Sequence, residues 1–572
     1  MKKLIPILAV SALLAACAQP QEFHVIPMPA QVTINQGSFC AKCANVSVDE
    51  KLDSLSRKAV ARFVEALEIA SGSKTKTGEG GFRFILNPNL AAEQYSIEIN
   101  KEGAVVEASA LNGFVYACET LKQMLPAAIY SGKPAPASCS WLLPYASILD
   151  QPRFGYRGVM LDCARHFWSV EETKKVLDVM TAYKMNRLHW HLTDDQGWRW
   201  ESKNYPLLTS VGGWRAGTQV GKDKSLGQTD GIRYGGFYTQ DELRDVVAYA
   251  AERGITVIPE IDLPGHMLAA LAAYPNLGCK GGPYEVRQFW GISQDILCAG
   301  NEEIYEFLDK LFDELVDIFP SEYIHVGGDE CFGGRKEREG LVPWDTCPKC
   351  QKLMKKLGIK PGKEARHYLQ DYVTQRIQKM LADKGRKIIG WDEILEGNLA
   401  PGATVMGWRG TDGGEKAVAK GMTAIMSPNT YMYIDYYQSA EFDKEPVCIG
   451  SKVLPVEKVY SYEPLEGMPE GAEDLILGVQ CNLWTEYVTT PENLEYMLLP
   501  RMCAAAEVGW VAAEAKDPAR FDKSLDHAFE IFDAMGLNYC LDSRGKIGFD
   551  RVPARDSVEL AKYLEEREKE KK

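Results

Sequence analysis

The chain has 572 residues, of which 45% are hydrophobic and 25% are charged. This composition is typical of a globular protein with a large core, and the length exceeds one ordinary domain, although a large α/β barrel can take more than half of it. The formal net charge of −14 at pH 7 argues against nucleic acid or an anionic membrane surface as a binding partner.

The first residues predict an export signal. Met1, Lys2 and Lys3 form a charged start, and residues 4–14 form an apolar run that is too short to span a bilayer. The run ends in LAAC, which resembles a bacterial lipoprotein signal over residues 1–17 with Cys17 as the lipidated residue; an ordinary cleaved secretion signal is the alternative. Because the next residue is alanine rather than the aspartate linked to inner-membrane retention, we expect a lipid anchor in the outer membrane, on its periplasmic or cell-surface side.

Fourteen of the 15 cysteines follow Cys17, and an exported protein can form disulfides. Cys279 and Cys298 bracket a glycine-rich loop and are the best candidates for a bridge. The segments at residues 40–43 and 347–350 each have the CxxC spacing found in metal sites. A joint zinc site would require these two distant segments to meet in space, so local disulfides or free thiols are favoured.

Residues 18–150 predict a small α+β domain. Residues 95–100 and 104–109 alternate in polarity around a glycine turn, which indicates a β-hairpin, and residues 111–125 have helical periodicity. The segment 131–144 is rich in proline, serine and glycine, which predicts a connection between domains.

From residue 151 to residue 540, strands alternate with helices. The predicted strands are 158–163, 187–192, 256–261, 323–326, 387–391, 404–408, 424–427 and 475–481. Helical segments lie between many of them, as in 170–183, 241–253, 304–319 and 365–384. This pattern predicts an α/β fold, a (β/α)8 TIM barrel preceded by the small α+β domain and followed by a C-terminal tail over 541–572. The rival, an open doubly wound sheet, lacks a glycine-rich phosphate loop at a strand end.

Chemically active residues follow the predicted strands. Active sites of this fold are built from the C-terminal strand ends. The residues there are Arg165, Asp194, His266, Asp329 with Glu330, Trp391, Trp408, Tyr433, and Trp484 with Glu486. One such residue would mean little, but the series predicts a single pocket that contains acids, a base, an arginine and several indoles.

Asp329 and Glu330 are adjacent carboxylates that follow two glycines at the end of a strand. Paired carboxylates carry out glycoside hydrolysis, one as proton donor and one as charge stabiliser. Successive strand residues point to opposite faces, so this pair would not readily flank a sugar as separate acid and nucleophile. We expect both groups to act on one side of the reaction; an acidic turn that closes the strand is the alternative interpretation.

Several segments carry a resemblance to a known family. They are RGVMLDCARHF at 157–167, HWHLTDDQGW at 189–198, PEIDLPGH at 259–266, HVGGDE at 325–330, LWTEY at 483–487 and PRMCAAAEVGW at 500–510. These segments strongly resemble the family 20 glycoside hydrolases, the β-N-acetylhexosaminidases. The resemblance extends over residues 22–540 and includes the small domain that usually precedes this barrel.

The resemblance implies an exo-acting, retaining β-N-acetylhexosaminidase that removes terminal β-linked GlcNAc or GalNAc without a cofactor. In that family the substrate's own acetamido group attacks the anomeric carbon and forms an oxazolinium intermediate, an exception to the two-carboxylate rule. Glu330 would protonate the glycosidic oxygen and later activate water. Asp329 would accept the acetamide N–H, and Tyr433 would donate to the acetamide oxygen, with Tyr431 and Tyr436 as neighbouring candidates.

The resemblance also implies the walls of the sugar pocket. Trp391, Trp408 and Trp484 would contact the acetamide methyl and the sugar face, because flat indoles suit pyranose C–H surfaces. Arg165 would hold two sugar hydroxyls at once with its forked guanidinium.

Four further residues have roles under the same resemblance. Glu486 would bind the 4-hydroxyl and Asp435 the 6-hydroxyl, which closes the pocket around a terminal sugar. Asp194 and His266 would position Glu330 and tune its acidity. The expected partner is an oligosaccharide or glycoconjugate with a terminal N-acetylhexosamine.

Three alternatives stand beside this interpretation. His189 and His191 face one side of a strand and could form a metal site with Asp262 or His266, but metal catalysis explains neither the tryptophans nor the acidic pair, so no metal is predicted. His325 is interpreted as a buried core histidine. A lacto-N-biosidase of the same family and a non-catalytic glycan-binding lipoprotein are the other two alternatives.

Overall fold

The computed structural model describes residues 23–222, 227–332, 342–360, 362–397 and 402–541. The predicted export signal with Cys17 and all but the first residue of the predicted C-terminal tail lie outside these ranges. Within them, no helix combines the length and the apolar character needed to cross a membrane.

The first domain is a seven-stranded sheet with two helices packed against it. Its strands are β1 Gln31–Cys40, β2 Asn45–Val48, β3 Lys76–Thr77, β4 Gly81–Leu86, β5 Tyr95–Asn100, β6 Gly103–Ala108 and β7 Leu142–Asp150. Its helices are α1 Ser54–Ser71 and α2 Leu111–Gln123, followed by a 3-10 turn at Ala127–Tyr130. The strand order is β1-β7-β5-β6-β4-β2-β3, and the predicted hairpin of β5 and β6 is confirmed.

The predicted connection at residues 131–144 is wrong in its last part. Leu142 begins β7, which lies inside the sheet between β1 and β5. Proline is tolerated in a strand at a bulge, and Pro144 pairs with Ser38 where the register of β1 shifts. The chain passes from the sheet to the second domain between Asp150 and Tyr156.

The second domain contains the predicted barrel. Its strands are β8 Tyr156–Asp162, β9 Arg187–His191, β10 Thr193–Asp194, β11 Gly197–Trp198, β12 Trp214–Arg215, β13 Tyr234–Gly235, β14 Thr256–Glu260, β15 Tyr323–His325, β16 Lys387–Trp391, β17 Thr404–Gly407, β18 Ala424–Met426 and β19 Ile476–Leu483. The short strands β10 to β13 form two separate pairs outside the barrel. The other eight are parallel and close in chain order, with β19 pairing to β8. The (β/α)8 barrel is confirmed.

Helices surround the barrel. They are α3 Val170–Ala182, α4 Leu207–Ser210, α5 Gln240–Ala251, α6 Leu268–Ala273, α7 Glu303–Ile318, α8 Pro343–Thr346, α9 Pro348–Leu357, α10 Lys363–Asp383, α11 Asp412–Ala419, α12 Val456–Tyr460, α13 Pro491–Leu498, α14 Arg501–Trp510 and α15 Pro518–Met535. Short 3-10 turns occur at Pro275–Leu277, Asp392–Leu395, Ala472–Asp474 and Ala513–Ala515. Capping boxes begin α3 and α5, because Ser169 and Thr239 each exchange hydrogen bonds with a glutamate three residues later.

Side chains fill the interior of the barrel. Tyr156, Ile258, Ile389, Met406 and Ile425 form a buried cluster there together with Trp391. Trp391 is the last residue of β16, so the packed interior ends directly below the C-terminal rim of the barrel. A ligand at the rim would therefore rest on packed side chains and would not enter a channel through the barrel.

Buried polar contacts join the first domain to the opposite end of the barrel. Lys184 Nζ, just before β9, lies 3.1 Å from Asp150 Oδ2, and both side chains are fully buried. Arg157, at the start of β8, lies 2.9 Å from Glu93 Oε1 through its NH2 atom. Contacts at the N-terminal strand ends serve stability in this fold and leave the other rim open for a ligand.

Candidate active site

The turn after β15 aims the acidic pair. Gly327 and Gly328 have φ of 65° and 103°, and Glu330 has φ of 48°, in the left-handed region that residues other than glycine rarely adopt. A Cβ on Gly327 would lie 1.8 Å from Asp262 Oδ1, so only glycine fits there. The strand ends at His325. The directions of the Asp329 and Glu330 side chains are therefore set by this turn and not by the alternation of side chains along a strand.

The two carboxylates lie on the same side of the rim. His266 Nε2 is 3.6 Å from Asp329 Oδ2 and 3.9 Å from Glu330 Oε2. The side chain of Asp329 is 11% exposed and that of Glu330 is 28% exposed. Among the described residues, the buried Oδ1 atom of Asp329 has no hydrogen-bond partner. Asp329 thus forms the inner wall of the site, and Glu330 has the better access to a substrate.

Asp194 and His266 form a charged pair beneath these carboxylates. His266 Nδ1 lies 3.1 Å from Asp194 Oδ1. Burial by itself would lower the pKa of His266, but the charges of Asp194, Asp262 and Asp329 outweigh it and raise that pKa well above its ordinary value. Burial likewise opposes ionisation of Asp194, yet Arg165 and then His266 hold its pKa well below the ordinary value. His266 is therefore an imidazolium beside the acidic pair at neutral pH.

Asp262 is a site member that sequence reasoning considered only as a metal ligand. Its Oδ1 accepts a hydrogen bond from Gly328 N at 3.3 Å. Burial, and then the charge of Asp329, raise the pKa of Asp262 well above its ordinary value. Through this hydrogen bond Asp262 supports the turn that carries the acidic pair.

Glu260 is a buried residue that sequence reasoning missed. Its carboxylate lies 2.9 Å from His189 Nε2 and 2.8 Å from His325 Nδ1, contacts His191 Nδ1, and accepts a hydrogen bond from Trp391 Nε1 at 3.0 Å. The histidines considered as metal ligands thus have a partner in Glu260, and His325 is buried as predicted. The available signal was a glutamate at the end of the apolar strand β14, because an acid in such a strand needs a polar partner.

Glu260 also divides the charge among these histidines. Burial lowers the pKa of His191, but Glu260 and the hydrogen bond with Asp194 outweigh it and raise the pKa to about 10. Burial and the neighbouring His325 lower the pKa of His189 to about 4. Of these two histidines, His191 is therefore cationic at neutral pH and His189 is neutral.

A series of aromatic rings lines the rim beside the acids. The ring centroids of Trp391 and Trp484 are 5.8 Å apart, those of Trp484 and Tyr433 are 6.4 Å apart, and those of Tyr433 and Trp408 are 5.9 Å apart at 17°. Trp408 Nε1 donates to Glu393 Oε2 at 2.9 Å, so its indole has a fixed orientation. Trp391 is fully buried, whereas Trp408 and Trp484 are partly exposed. This surface suits the flat C–H face of a sugar.

The loop after β18 places Tyr433 in this series. Ile434 N donates to Asn482 O at 2.9 Å, and Asn482 N donates to Met432 O at 2.8 Å, so the loop is held against the end of β19. Burial raises the pKa of Tyr433 well above its ordinary value, and the phenol remains a hydrogen-bond donor. Tyr431, the neighbouring candidate, instead stacks on Tyr462 at 4.8 Å.

Arg165 connects the acids to the aromatic rings. Its NH2 lies 2.7 Å from Asp194 Oδ2, its NH1 lies 3.2 Å from Asp162 Oδ2, and its Nε donates to Gln196 Oε1 at 3.2 Å. The guanidinium carbon lies 4.9 Å from the Trp484 ring centroid. These contacts engage three of its five N–H groups and fix the orientation of the guanidinium.

Asp435 and Glu486 provide two further carboxyls. Burial, followed by the charge of Glu486, raises the pKa of Asp435 well above its ordinary value. Burial also raises the pKa of Glu486, although Arg165 opposes this effect. Arg501 NH1 donates to Tyr436 O at 2.8 Å and holds the loop that carries Asp435. The residues predicted from strand ends therefore occupy one continuous rim.

Two family descriptions match this chain. "Glycosyl hydrolase family 20, catalytic domain" matches residues 154–513, and "Glycosyl hydrolase family 20, domain 2" matches residues 22–151. The chain belongs to glycosyl hydrolase family 20. The resemblance carried by the sequence motifs is confirmed.

Relatives in family 20 are similar over most of this chain. A β-hexosaminidase of Porphyromonas gingivalis is 41% identical over 90% of this chain, which spans 64% of that relative's length. The structure of a family 20 exo-β-N-acetylglucosaminidase from Vibrio harveyi in complex with N-acetylglucosamine is 32% identical, with a TM-score of 0.79 over 91% of this chain and 79% of that one. A family 20 β-N-acetylhexosaminidase structure from Streptomyces coelicolor is 29% identical, with a TM-score of 0.77 over 92% and 99%.

Proposed function

We propose that this protein is an exo-acting, retaining β-N-acetylhexosaminidase that releases terminal β-linked GlcNAc or GalNAc by substrate-assisted catalysis. The observation that carries the proposal is the position of Asp329 and Glu330 on one side of the rim, both near His266 Nε2. Protein carboxylates on opposite faces of the sugar would be needed if the enzyme supplied its own nucleophile. The family 20 relatives include a β-hexosaminidase and an exo-β-N-acetylglucosaminidase in complex with N-acetylglucosamine, which supports the same substrate class.

In the first step the substrate supplies the nucleophile. Its acetamido carbonyl oxygen forms a bond to the anomeric carbon while the glycosidic C–O bond breaks, and Glu330 gives its proton to the departing oxygen. Asp329 accepts the acetamide N–H through its carboxylate, which belongs to a side chain that is 11% exposed. Tyr433 donates its O–H to the acetamide oxygen. Groups held in place before the reaction stabilise the charge that develops on the oxazolinium ring.

In the second step water opens that ring. The carboxylate of Glu330 takes a proton from water, and the water oxygen bonds to the anomeric carbon as the ring C–O bond breaks. Two displacements at one carbon give retention of configuration, and Glu330 ends the cycle protonated. His266 Nε2 lies beside both carboxylates throughout, 3.6 Å from Asp329 Oδ2 and 3.9 Å from Glu330 Oε2.

The specificity for a terminal sugar comes from the opposite side of the rim. Arg165 and Glu486 bind the hydroxyls farthest from the scissile bond, and Asp435 binds the 6-hydroxyl. Trp484 contacts both Arg165 and Tyr433, with the guanidinium carbon 4.9 Å and the Tyr433 centroid 6.4 Å from its ring centroid. Charged and polar groups at the closed end of a pocket admit one sugar unit and reject a continuing chain.

Hydrolysis of aryl β-GlcNAc, aryl β-GalNAc and aryl lacto-N-bioside, measured side by side, tests the substrate. We expect release from the first two only; release from the bioside alone would overturn the exo-hexosaminidase proposal in favour of a disaccharide-releasing enzyme. No hydrolysis of any of the three by the folded protein would point to a glycan-binding protein. A thiazoline analogue of the intermediate should inhibit, and insensitivity would contradict substrate assistance.

Glu330→Gln tests the assignment of the acid. We expect kcat to fall on the order of 10²–10⁴-fold for substrates with poor leaving groups, and less for an aryl group that departs without a proton. Glu322→Gln is the matched control, because Glu322 lies just before the other end of the same strand and is 60% exposed. Full activity of Glu330→Gln would show that another group is the acid.

The proposal also includes export and lipid anchoring in the outer membrane through Cys17, which rests on the signal sequence alone. We expect labelled palmitate to be incorporated into the wild type and the Cys40→Ala control, and not into Cys17→Ala. Label retained by Cys17→Ala would contradict the anchor. Protease treatment of intact cells distinguishes the cell-surface side from the periplasmic side.

A further inference from the structure

Four cysteines from distant parts of the sequence converge next to the barrel. They are Cys279, Cys298, Cys347 and Cys350, and their sulfur atoms all lie within 4.8 Å of one another. Cys298 Sγ is 3.6 Å from both Cys347 Sγ and Cys350 Sγ, and Cys279 Sγ is 3.8 Å from Cys350 Sγ. Three of the four are buried and Cys279 is partly exposed.

These spacings do not correspond to disulfides. All four residues are free thiols, and their separations greatly exceed the S–S bond length of about 2.05 Å. The predicted Cys279–Cys298 bridge is therefore wrong in this structure. Four thiolates bound tetrahedrally at a metal–sulfur distance of about 2.3 Å have sulfurs about 3.8 Å apart. Three of the six sulfur–sulfur separations, at 3.6, 3.6 and 3.8 Å, are close to that value.

The fold brings the first pair of cysteines together through a local bridge. Gly278 and Leu297 form an antiparallel β-bridge, and Cys298 N donates to Leu277 O at 2.9 Å. The two ends of the segment 278–297, which lies between the 3-10 turn Pro275–Leu277 and α7, are thereby joined, with Cys279 and Cys298 next to the junction. Proximity of this pair thus follows from backbone pairing and does not require a bond between the sulfurs.

The second pair lies at the start of a helix. Cys347 is the N-cap of α9, and Cys350 lies in its first turn. A Cβ on Gly300 would lie 2.3 Å from the carbonyl carbon of Lys349, so this glycine lets the loop with Cys298 approach the helix closely. The positive end of the helix dipole favours thiolates over thiols at both positions. Loop and helix are thus built to approach each other at the sulfur cluster.

We propose that Cys279, Cys298, Cys347 and Cys350 form a structural zinc site that joins the loop after β14 to α9. Four sulfur ligands with no carboxylate or imidazole among them suit a soft, tetrahedral ion, and complete coordination by protein leaves no position for a substrate. The sequence prediction of no metal considered the segment 40–43 as the second half of a zinc site; among the described residues the structure pairs 347–350 with Cys279 and Cys298 instead.

The zinc site would support the segment that follows the acidic pair. Trp344 Nε1, close to Cys347 in the chain, donates to Leu297 O at 2.8 Å. The Trp344 ring packs against Phe332 with centroids 5.7 Å apart, and Phe332 lies two residues after Glu330. Loss of the ion would therefore loosen the contact between Trp344 and Phe332 without removing any group from the acidic pair. The proposal is independent of the substrate assigned above.

Metal analysis of the full-length protein, purified under reducing conditions without chelator and supplied with Zn²⁺, tests the site. We expect about one zinc ion per chain, and zinc content reduced at least about tenfold in Cys298→Ser/Cys350→Ser together with a lower thermal midpoint. Cys40→Ser/Cys43→Ser is the matched control, because both cysteines are exposed with CxxC spacing, and it should keep the zinc. Zinc that is lost in Cys40→Ser/Cys43→Ser and kept in Cys298→Ser/Cys350→Ser would overturn the assignment.

A second measurement covers variants that do not fold. Wild-type protein loaded with Co²⁺ in place of zinc should show the charge-transfer and ligand-field absorption of a tetrahedral tetrathiolate. Absence of that spectrum, absence of stoichiometric metal, or peptide mapping that finds disulfides among the four cysteines would each overturn the proposal. Enzyme activity is not needed for any of these readouts, so failure of the zinc site and failure of the proposed hydrolase are distinguishable.

Discussion

His266 Nδ1 lies 3.1 Å from Asp194 Oδ1, and this contact sets the charge beside the acidic pair. Asp194→Asn removes the main group that raises the pKa of His266. We expect kcat to fall on the order of 10–100-fold, and the alkaline limb of the kcat profile to move to lower pH. Asp245→Asn, at an exposed position, should change neither quantity. An alkaline limb that stays in place would contradict the role of His266 as a cation.

Tyr433→Phe removes one hydroxyl and keeps the ring that stacks beside Trp408. Because the hydroxyl is assigned to the acetamide oxygen in the transition state, we expect kcat to fall on the order of 10²–10³-fold with little change in KM. Tyr431→Phe is the control, since that ring stacks on Tyr462. An equal decrease in kcat for both variants, measured by steady-state kinetics, would contradict the assignment of Tyr433 as the donor to the acetamide oxygen.

Glu486→Gln tests the closed end of the pocket. A hydrogen bond from a sugar hydroxyl to a charged group contributes about 1.5–3 kcal/mol, so we expect kcat/KM for aryl β-GlcNAc to fall by roughly 10- to 150-fold. Glu463→Gln, which removes a carboxylate paired with Arg153, should not change this ratio. An unchanged kcat/KM for Glu486→Gln would show that a residue other than Glu486 recognises the sugar hydroxyl.

Lys184→Met tests the junction between the domains. The change removes Lys184 as the partner of the buried Asp150, and removing one member of a buried ion pair costs about 3–5 kcal/mol. We expect a lower free energy of unfolding in denaturant titrations. Lys379→Met breaks the exposed pair with Asp383 and should cost less than about 1 kcal/mol. A similar decrease in the free energy of unfolding of the two variants would contradict the larger contribution assigned to the buried Lys184–Asp150 pair.

His191 gives the stability of the fold a dependence on pH. Its pKa is raised from 6.5 to about 10, so the proton is bound in the folded chain after the unfolded chain has lost it. The stabilisation is complete below pH 6.5 and is lost as the pH rises towards 10, by about 1.4 kcal/mol per pH unit for one proton. We expect the thermal midpoint to fall more steeply over that range in the wild type and in His367→Asn than in His191→Asn. Parallel curves would contradict this.

The sequence by itself determined the barrel and the acidic pair. Each strand was recognisable because an apolar, β-prone run of a few residues is bounded by turn residues, and this pattern depends only on neighbours in the chain. The structure places all eight within a few residues of their predicted positions, β16 at the predicted limits of 387–391. Asp329 and Glu330 were recognisable because barrel chemistry is confined to the C-terminal strand ends.

Tertiary structure alone decided which distant side chains meet. From the sequence, Pro144 is typical of a linker, and only the structure shows that it pairs with β1 at a register shift. Glu260 is typical of a strand end, and only the structure shows that three histidines contact it. The four cysteines form two unrelated pairs in the sequence, and only the packing of α9 against the loop after β14 makes them one cluster. The physical reason is that local patterns set secondary structure, whereas contacts across long separations depend on how loops close and helices pack.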